Sequence, residues 1–179
     1  DIVLLRDDGK ESGPAFRSTR ANIEQGIQWL MSDLRPGTCL FFHFSGHGSQ
    51  QRSVMGDEMD GMDETILPSD FKRAGQIVDN QLNAMMVAPL PPACVLHCVI
   101  DACHSGTAMD LPYSTEFRMG QLFWGMSSRV FKGTRGGTCI QFGACRDTQV
   151  AQDTAALSGG KYTGAATYAF ISAIERMGP

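Results

Sequence analysis

Two short stretches of this chain bring together the residue types that acyl-transfer chemistry needs. In one, an apolar run over 93–100 ends in Asp101-Ala102-Cys103-His104-Ser105-Gly106. In the other, Thr38-Cys39-Leu40-Phe41-Phe42-His43-Phe44 runs straight into Ser45-Gly46-His47-Gly48-Ser49-Gln50. A thiolate can attack a carbonyl, and an imidazole within hydrogen-bonding reach serves it as base and then as acid. Side chains two apart on extended backbone point the same way, which pairs Asp101 with Cys103 and Ser45 with His47. Two such strands in one sheet would gather a thiol, an imidazole, a carboxylate and a hydroxyl at its end, where open α/β sheets bind ligands. Gly46, Gly48 and Gly106 let backbone pass close to a substrate, and backbone N–H groups there can hold an oxyanion. His43 and His97, inside apolar runs, are expected in the core, and His104 in a loop.

The elements that must position these residues alternate between strand and helix. Ile2-Val3-Leu4-Leu5 reads as a first strand, and Thr19 caps a helix whose Ile23, Ile27, Leu30, Met31 and Leu34 recur at spacings of three and four. Pro36-Gly37 ends that helix, and the strand over 38–44 completes a strand–helix–strand unit with a right-handed crossover. The stretch 51–63 is polar and acidic without a period and reads as a loop. Thr65-Ile66-Leu67 and Gln76-Ile77-Val78 are brief extended pieces, and Asp79 caps a helix through Val87 that Pro89, Pro91 and Pro92 end. Between 106 and 137 a long loop is expected, with a short helix over 121–124. A strand over 138–144 and a helix over 164–177, with Ala166, Ala169, Phe170, Ala173, Ile174 and Met177 on its apolar face, close the pattern. The class is α/β with a mainly parallel sheet.

The sequence has 179 residues, 42% hydrophobic and 19% charged, enough for one domain with one core and unlike a disordered chain. A net charge of −4 disfavours nucleic acid and anionic membranes as partners. No apolar run is long enough for a membrane span. Of the six cysteines, at 39, 94, 98, 103, 139 and 145, none forms a Cys-x-x-Cys pair or a disulfide spacing. Cys39, Cys94, Cys98 and Cys139 fall in apolar runs, and zinc ligation does not fit. A reducing compartment, the cytoplasm, fits best.

His-Phe-Ser-Gly-His-Gly-Ser-Gln at 43–50 and Asp-Ala-Cys-His-Ser-Gly at 101–106 resemble the two catalytic motifs of the metacaspases, caspase-fold cysteine peptidases. Trp29-Leu30, Asp110-Leu111-Pro112-Tyr113 and Gly164-Ala165-Ala166-Thr167 extend the resemblance over nearly the whole chain, closest to the single-chain kinetoplastid and fungal type. The resemblance implies a caspase-like parallel sheet flanked by helices, His47 as general base and Cys103 as nucleophile. It also implies an oxyanion hole from the N–H groups of Gly48 and Cys103, and a pocket lined by Ser45 and Asp101 that selects Arg or Lys before the scissile bond. An anionic pocket offsets a guanidinium or ammonium and repels an aspartate.

The same resemblance implies calcium, held by Asp63, Asp79, Asn80 and Asp110, whose hard oxygens suit that ion. Asn80 departs from the aspartate common in the family and lowers the site's charge. The run Asp57, Glu58, Asp60, Asp63, Glu64 does not fit the EF-hand pattern, and by itself reads as a solvated acidic loop. The family's fold has an earlier strand and helix carrying another pocket aspartate, and a segment after the last helix. No counterpart is found, so a single domain over 1–179, incomplete at both ends, is expected. The long loop carries Arg118, Arg129, Lys132 and Arg135, and self-processing over 129–135 is one reading of them, ordinary solubilising charge on a loop the other. A calcium-activated, monomeric endopeptidase acting on proteins is the first reading. A calcium-dependent binding or regulatory protein with weak or no peptidase activity is the alternative, favoured by the missing pocket acid and Asn80 and opposed by the His47/Cys103 pair. A related caspase-like peptidase with another specificity is a third.

Overall fold

The structure is a computed structural model and describes residues 1–56, 58, 61–144 and 164–178. Ile2 to Leu5 do not form a strand; Ile2 and Leu4 are exposed, and Arg6 makes one isolated bridge to Arg17. An apolar tetrapeptide becomes a strand only with a neighbour to pair with, and none of the described residues supplies one. The expected strand–helix–strand unit is therefore not built from this end. Helix α1 (Arg20–Leu30) starts as its spacing predicts: the Thr19 hydroxyl accepts the N–H of Asn22, and Ile23 and Ile27 turn inward.

Strand β1 (Cys39–Ser45) leads into β2 (Gly48–Arg52), which pairs antiparallel with β3 (Met62–Ile66). Residues 51 and 52, expected in a loop, thus belong to a strand, although Gly-Ser-Gln-Gln-Arg has no apolar alternation to announce it. After the short helix α2 (Phe71–Ala74) comes β4 (Ile77–Val78), the far edge of this small sheet. The helix expected from Asp79 to Val87 is one α-helical turn, α3 (Asp79–Leu82), widened into a π-helical turn over Asn83–Val87. Its cap differs from expectation, because Asp79 lies inside the first turn and Val78 precedes it.

Strand β5 (Val95–Asp101) follows, then a loop carrying Cys103, then the strands β6 (Tyr113–Arg118) and β7 (Gln121–Met126). These two form a hairpin where a loop and short helix were expected. Met119 and Gly120 turn it with φ of 49° and 79°, the pair of positive angles that a two-residue hairpin turn requires. Strand β8 (Thr138–Gly143) and helix α4 (Ala165–Met177) complete the described chain.

The central sheet has the order β1-β5-β8 and is parallel throughout. One face carries Leu40, Leu96, Cys98 and Ile100, which pack with Ile23 and Ile27 of α1 and Leu82, Met86 and Val87 of the turn after β4. The other face carries Phe41, His43, His97 and Phe142 and meets α4, whose Phe170 ring lies 6.3 Å from Phe41 and 5.1 Å from Phe142. Among the described residues this second face is only partly covered. Phe41 is 53% and Ile174 54% exposed, so the apolar face expected of the last helix is real in composition but incompletely buried. His43 and His97 are accordingly not core residues: His43 is exposed and His97 half-buried. Cys39, on the same face, is also exposed, while Cys94 and Cys98 are buried.

Leu96 is fully buried in the central strand. Leu96→Ala should lower the unfolding free energy by about 2–5 kcal/mol, read as a shift of the urea midpoint at unchanged slope.

Candidate active site

The parallel register sets Cys39 opposite Val95 and runs to Ser45 opposite Asp101, and the Gly46 N–H continues it to the Asp101 carbonyl at 3.1 Å. Both strands therefore stop at the same level. His47 and Cys103 each lie two residues beyond, His47 exposed and Cys103 half-buried. A close approach joins the two chain segments: a Cβ built on Gly48 would overlap the Cys103 carbonyl oxygen and crowd the Ala102 methyl. Gly48 is thus a position where only a missing side chain allows the His47 segment to lie against the Cys103 segment.

Asp101 is 4% exposed. Its Oδ2 accepts the N–H of Thr167 at 2.6 Å, and its carboxylate sits where a Cβ on Gly164 would be. The acid that the resemblance assigns to the pocket is therefore also the anion at the first turn of α4, where the helix dipole favours a negative charge. The Thr167 hydroxyl reaches back to His43 Nε2 at 3.1 Å. Among the described residues Asp101 forms no ion pair. Ser45 beside it is exposed.

The loop after Cys103 is held at many points. The Ser105 hydroxyl accepts the Ala144 N–H at 2.9 Å, and the Gln141 amide donates to Ser105 O at 2.6 Å while accepting from Met109 N at 2.7 Å. Asn83 Nδ2 donates to the carbonyls of Met109 and Asp110 at 3.1 and 3.0 Å. His104 and Asp110 adopt φ of 54° and 48°, left-handed conformations that cost energy away from glycine and are sustained here by these bonds. Gln141, Asn83 and Ser105 were not singled out from the sequence, since nothing local marks a side chain that braces a loop 26 or more residues away.

Beside that loop lies a group of buried acids. Glu58, Asp63, Glu64, Asp79 and Asp110 are each at most 5% exposed. The solvated acidic loop expected for this run is thus corrected at Glu58, Asp63 and Glu64, while Asp57 and Asp60 lie outside the described residues. Glu58, Asp63 and Asp79 bring oxygens within 4.8 Å of one another. Asp79 accepts the N–H of Glu64 at 2.8 Å, and Glu64 accepts from Gln50 at 2.9 Å and from the Thr107 hydroxyl at 2.7 Å. Asp63 Oδ1 is buried with no hydrogen-bond partner. A donor set of carboxylate oxygens with one orphaned atom among them fits a hard divalent cation.

Of the four residues that the resemblance assigns to calcium, Asp63 and Asp79 belong to this trio. Asn80 and Asp110 instead bond the ammonium of Lys132, Asn80 Oδ1 at 2.6 Å. Glu58 is an added member that the resemblance did not supply. Lys132 is not the exposed loop charge expected of it, since its side chain is 15% exposed, whereas Arg129 and Arg135 are exposed. Burial, with Asp110 and Glu64 as like charges, pushes the Asp79 carboxyl up from 3.8 to about 8, against the two backbone N–H bonds from Glu64 and Asn80 that favour its charge.

Similarity to known proteins agrees with this architecture. Residues 1–112 match the family model described as "Metacaspase, peptidase C14 domain". The chain is 47% identical over 179 residues to Metacaspase-2 of Arabidopsis thaliana, covering 98% of this chain and 42% of that one. It is 46% identical to Metacaspase-1 of the same plant, over 98% of this chain and 48% of the relative, and 35% identical to Metacaspase-1 of Mycosarcoma maydis, over 98% and 53%. The chain thus spans about half the length of the curated relatives it matches. A crystal structure of a Geobacter sulfurreducens protein superposes with a TM-score of 0.51 at 22% identity, covering 83% of this chain and 58% of that one, which speaks for the fold alone.

The raised Asp79 carboxyl has a stability consequence. A folded chain that holds a proton its unfolded form has lost is stabilised at low pH and weakened as pH rises, here between about 4 and 8. In buffer stripped of divalent ions, the melting temperature should fall steadily across that window, and Asp79→Asn should flatten the slope. An unchanged slope in the variant would show that Asp79 is not the group responsible.

Proposed function

This chain belongs to the metacaspase family of C14 peptidases, with their caspase-like α/β fold, and on that premise we propose that it is a calcium-activated cysteine endopeptidase cleaving proteins after Arg or Lys. What supports the reading most is the register of Ser45 with Asp101, from which His47 and Cys103 each lie two residues on. His47 takes the thiol proton of Cys103, and Sγ bonds to the scissile carbonyl carbon while the carbonyl electron pair moves onto oxygen. The backbone N–H groups of Gly48 and Cys103 receive that oxyanion. Collapse breaks the C–N bond, His47 gives its proton to the leaving amine, and a thioester remains. Water, deprotonated by His47, then attacks the thioester, releasing the acid and restoring the thiol.

Preference for a basic residue follows from Asp101. A buried carboxylate with the Thr167 N–H as its described donor and no described cation beside it gains from a guanidinium or ammonium and would repel an aspartate. Ser45 lines the same pocket with a hydroxyl. Calcium would be held by Asp63, Asp79, Asn80 and Asp110 with Glu58, and would supply charge neutralisation there rather than chemistry at the scissile bond. Thr107 and Asp110, which bond into the acid group, lie on the Cys103 loop itself, so ordering that group orders the loop. Exposed Arg129 and Arg135 are the self-processing sites the same specificity would favour. A monomer in a reducing compartment completes the reading, and the free thiols of Cys39, Cys94, Cys98, Cys103 and Cys139 accord with that compartment.

Fluorogenic peptides ending in Arg, Lys or Asp, assayed with calcium and with chelator, test this directly. Cleavage after Arg and Lys only, dependent on calcium and reduced by about a thousandfold or more in Cys103→Ala, is the expected result. Cleavage after Asp, or the same rate in Cys103→Ala, would refute the assignment. A folded protein that cleaves none of them would instead be a calcium-dependent binding or regulatory member of the family.

A further inference from the structure

We propose that Lys132 is a tethered stand-in for the divalent cation: its ammonium occupies the acid group of the ion-free protein and is expelled when a calcium ion enters. This rests on the reading of the acid group as a calcium site. Three observations carry it.

Lys132 Nζ lies within 2.6 Å of Asn80 Oδ1 and 3.5 Å of Glu58 Oε1, and is bonded to Asp110 Oδ2, so it touches two of the four residues assigned to calcium and one of the trio beside them. Glu58 belongs to both sets, pairing with Lys132 while offering an oxygen within 4.8 Å of those of Asp63 and Asp79. One cation position and the other therefore compete for the same carboxylate.

The ammonium does the task incompletely. It has three N–H donors and one charge, fewer than the oxygens gathered here, and Asp63 Oδ1, on a residue 2% exposed, is left without a partner. Calcium accepts about six to eight oxygens and brings two charges, so it can engage Asp63 and Asp79 together with the groups Lys132 now holds. A way in exists as well. A cleft of about 750 Å³ reaches both Asp63 and Asn80 from the side of Arg20, Gln76 and Gln81.

Lys132 is also held by its backbone, through its carbonyl and Asn83 Nδ2 at 3.3 Å. Asn83 binds the Asp110 carbonyl with the same nitrogen, so the segment bearing Lys132 is clipped to the loop that follows Cys103. Expulsion of the ammonium frees the side chain, next to the exposed Arg129 and Arg135, while this backbone clip remains.

A lysine that serves only the ion-free form must weaken ion binding and strengthen the protein that lacks the ion. Calcium titrated calorimetrically into chelator-stripped full chain should bind Lys132→Met at least about tenfold more tightly than the unaltered protein, since one close ammonium no longer has to be displaced. The same variant should melt lower than the unaltered protein in chelator and converge with it in saturating calcium.

A footprint on the unaltered protein stands independently of how the variant folds. Acetylation with an amine-reactive ester, mapped by mass spectrometry, should spare Lys132 relative to exposed Lys72 in chelator and modify both alike in calcium. Calcium binding with Lys132 still protected, or with equal affinity in Lys132→Met, would overturn the stand-in while leaving the calcium site in place. No calcium binding by either protein would remove the site itself, and with it this inference.

Discussion

Five buried carboxylates cannot share one pocket in low dielectric unless something offsets their charge, and the architecture around Cys103 depends on how that constraint is met. Here it is met in three ways. Protonation is favoured at Asp79, whose carboxyl is pushed up to about 8; backbone and side-chain donors satisfy Asp79 and Glu64; and the Lys132 ammonium sits against Glu58, Asn80 and Asp110. Each device is partial. The orphaned Asp63 Oδ1 marks where the compensation stops, and an unpaired oxygen of this kind is costly enough to require an explanation. A divalent cation would engage Glu58, Asp63 and Asp79 together, whose oxygens lie within 4.8 Å of one another.

The acid group matters to the proposed chemistry because it shares a loop with Cys103, the nucleophile of the proposed mechanism. Cys103 follows the end of β5, and within seven residues the same backbone supplies Thr107 to Glu64 and Asp110 to Lys132. Gln141 and Asn83 brace the loop from β8 and from the π-helical turn. The parallel register of β1 with β5 gives Ser45 and Asp101 one level in the sheet, while these side-chain bonds hold the conformation of the loop that carries Cys103. Wherever strand ends deliver residues to a site and a separate polar group fixes the loop between them, charge in the second can govern activity in the first.

The central strands were legible because an apolar run bounded by Gly, Pro or Asp leaves few alternatives, as at 38–44, 93–100 and 138–144. Helix α1 was legible from Thr19 and its period, and α4 from its small and apolar face. What escaped was whatever depends on a partner distant in sequence. Ile2 to Leu5 look like a strand but lack a neighbour among the described residues, and Gly48 to Arg52 look like a loop but pair with β3. The hairpin over 113–126 was hidden because Met119 is an unusual residue for a left-handed turn position. At the site, residue types and spacing were enough to single out Ser45, His47, Asp101 and Cys103. The partners of Lys132, 22 to 74 residues away, could not be read, since a lysine in a basic loop has the same local sequence whether it points to water or into buried acids.

On the proposed reading, ordering the acid group orders the Cys103 loop. The most direct measurement is the alkylation rate of each cysteine near neutral pH, followed by mass spectrometry in calcium and in chelator. Calcium should accelerate the reaction of Cys103 and leave Cys39, Cys94, Cys98 and Cys139 unchanged. Equal rates at Cys103 in the two conditions, with calcium binding verified on the same sample, would contradict it.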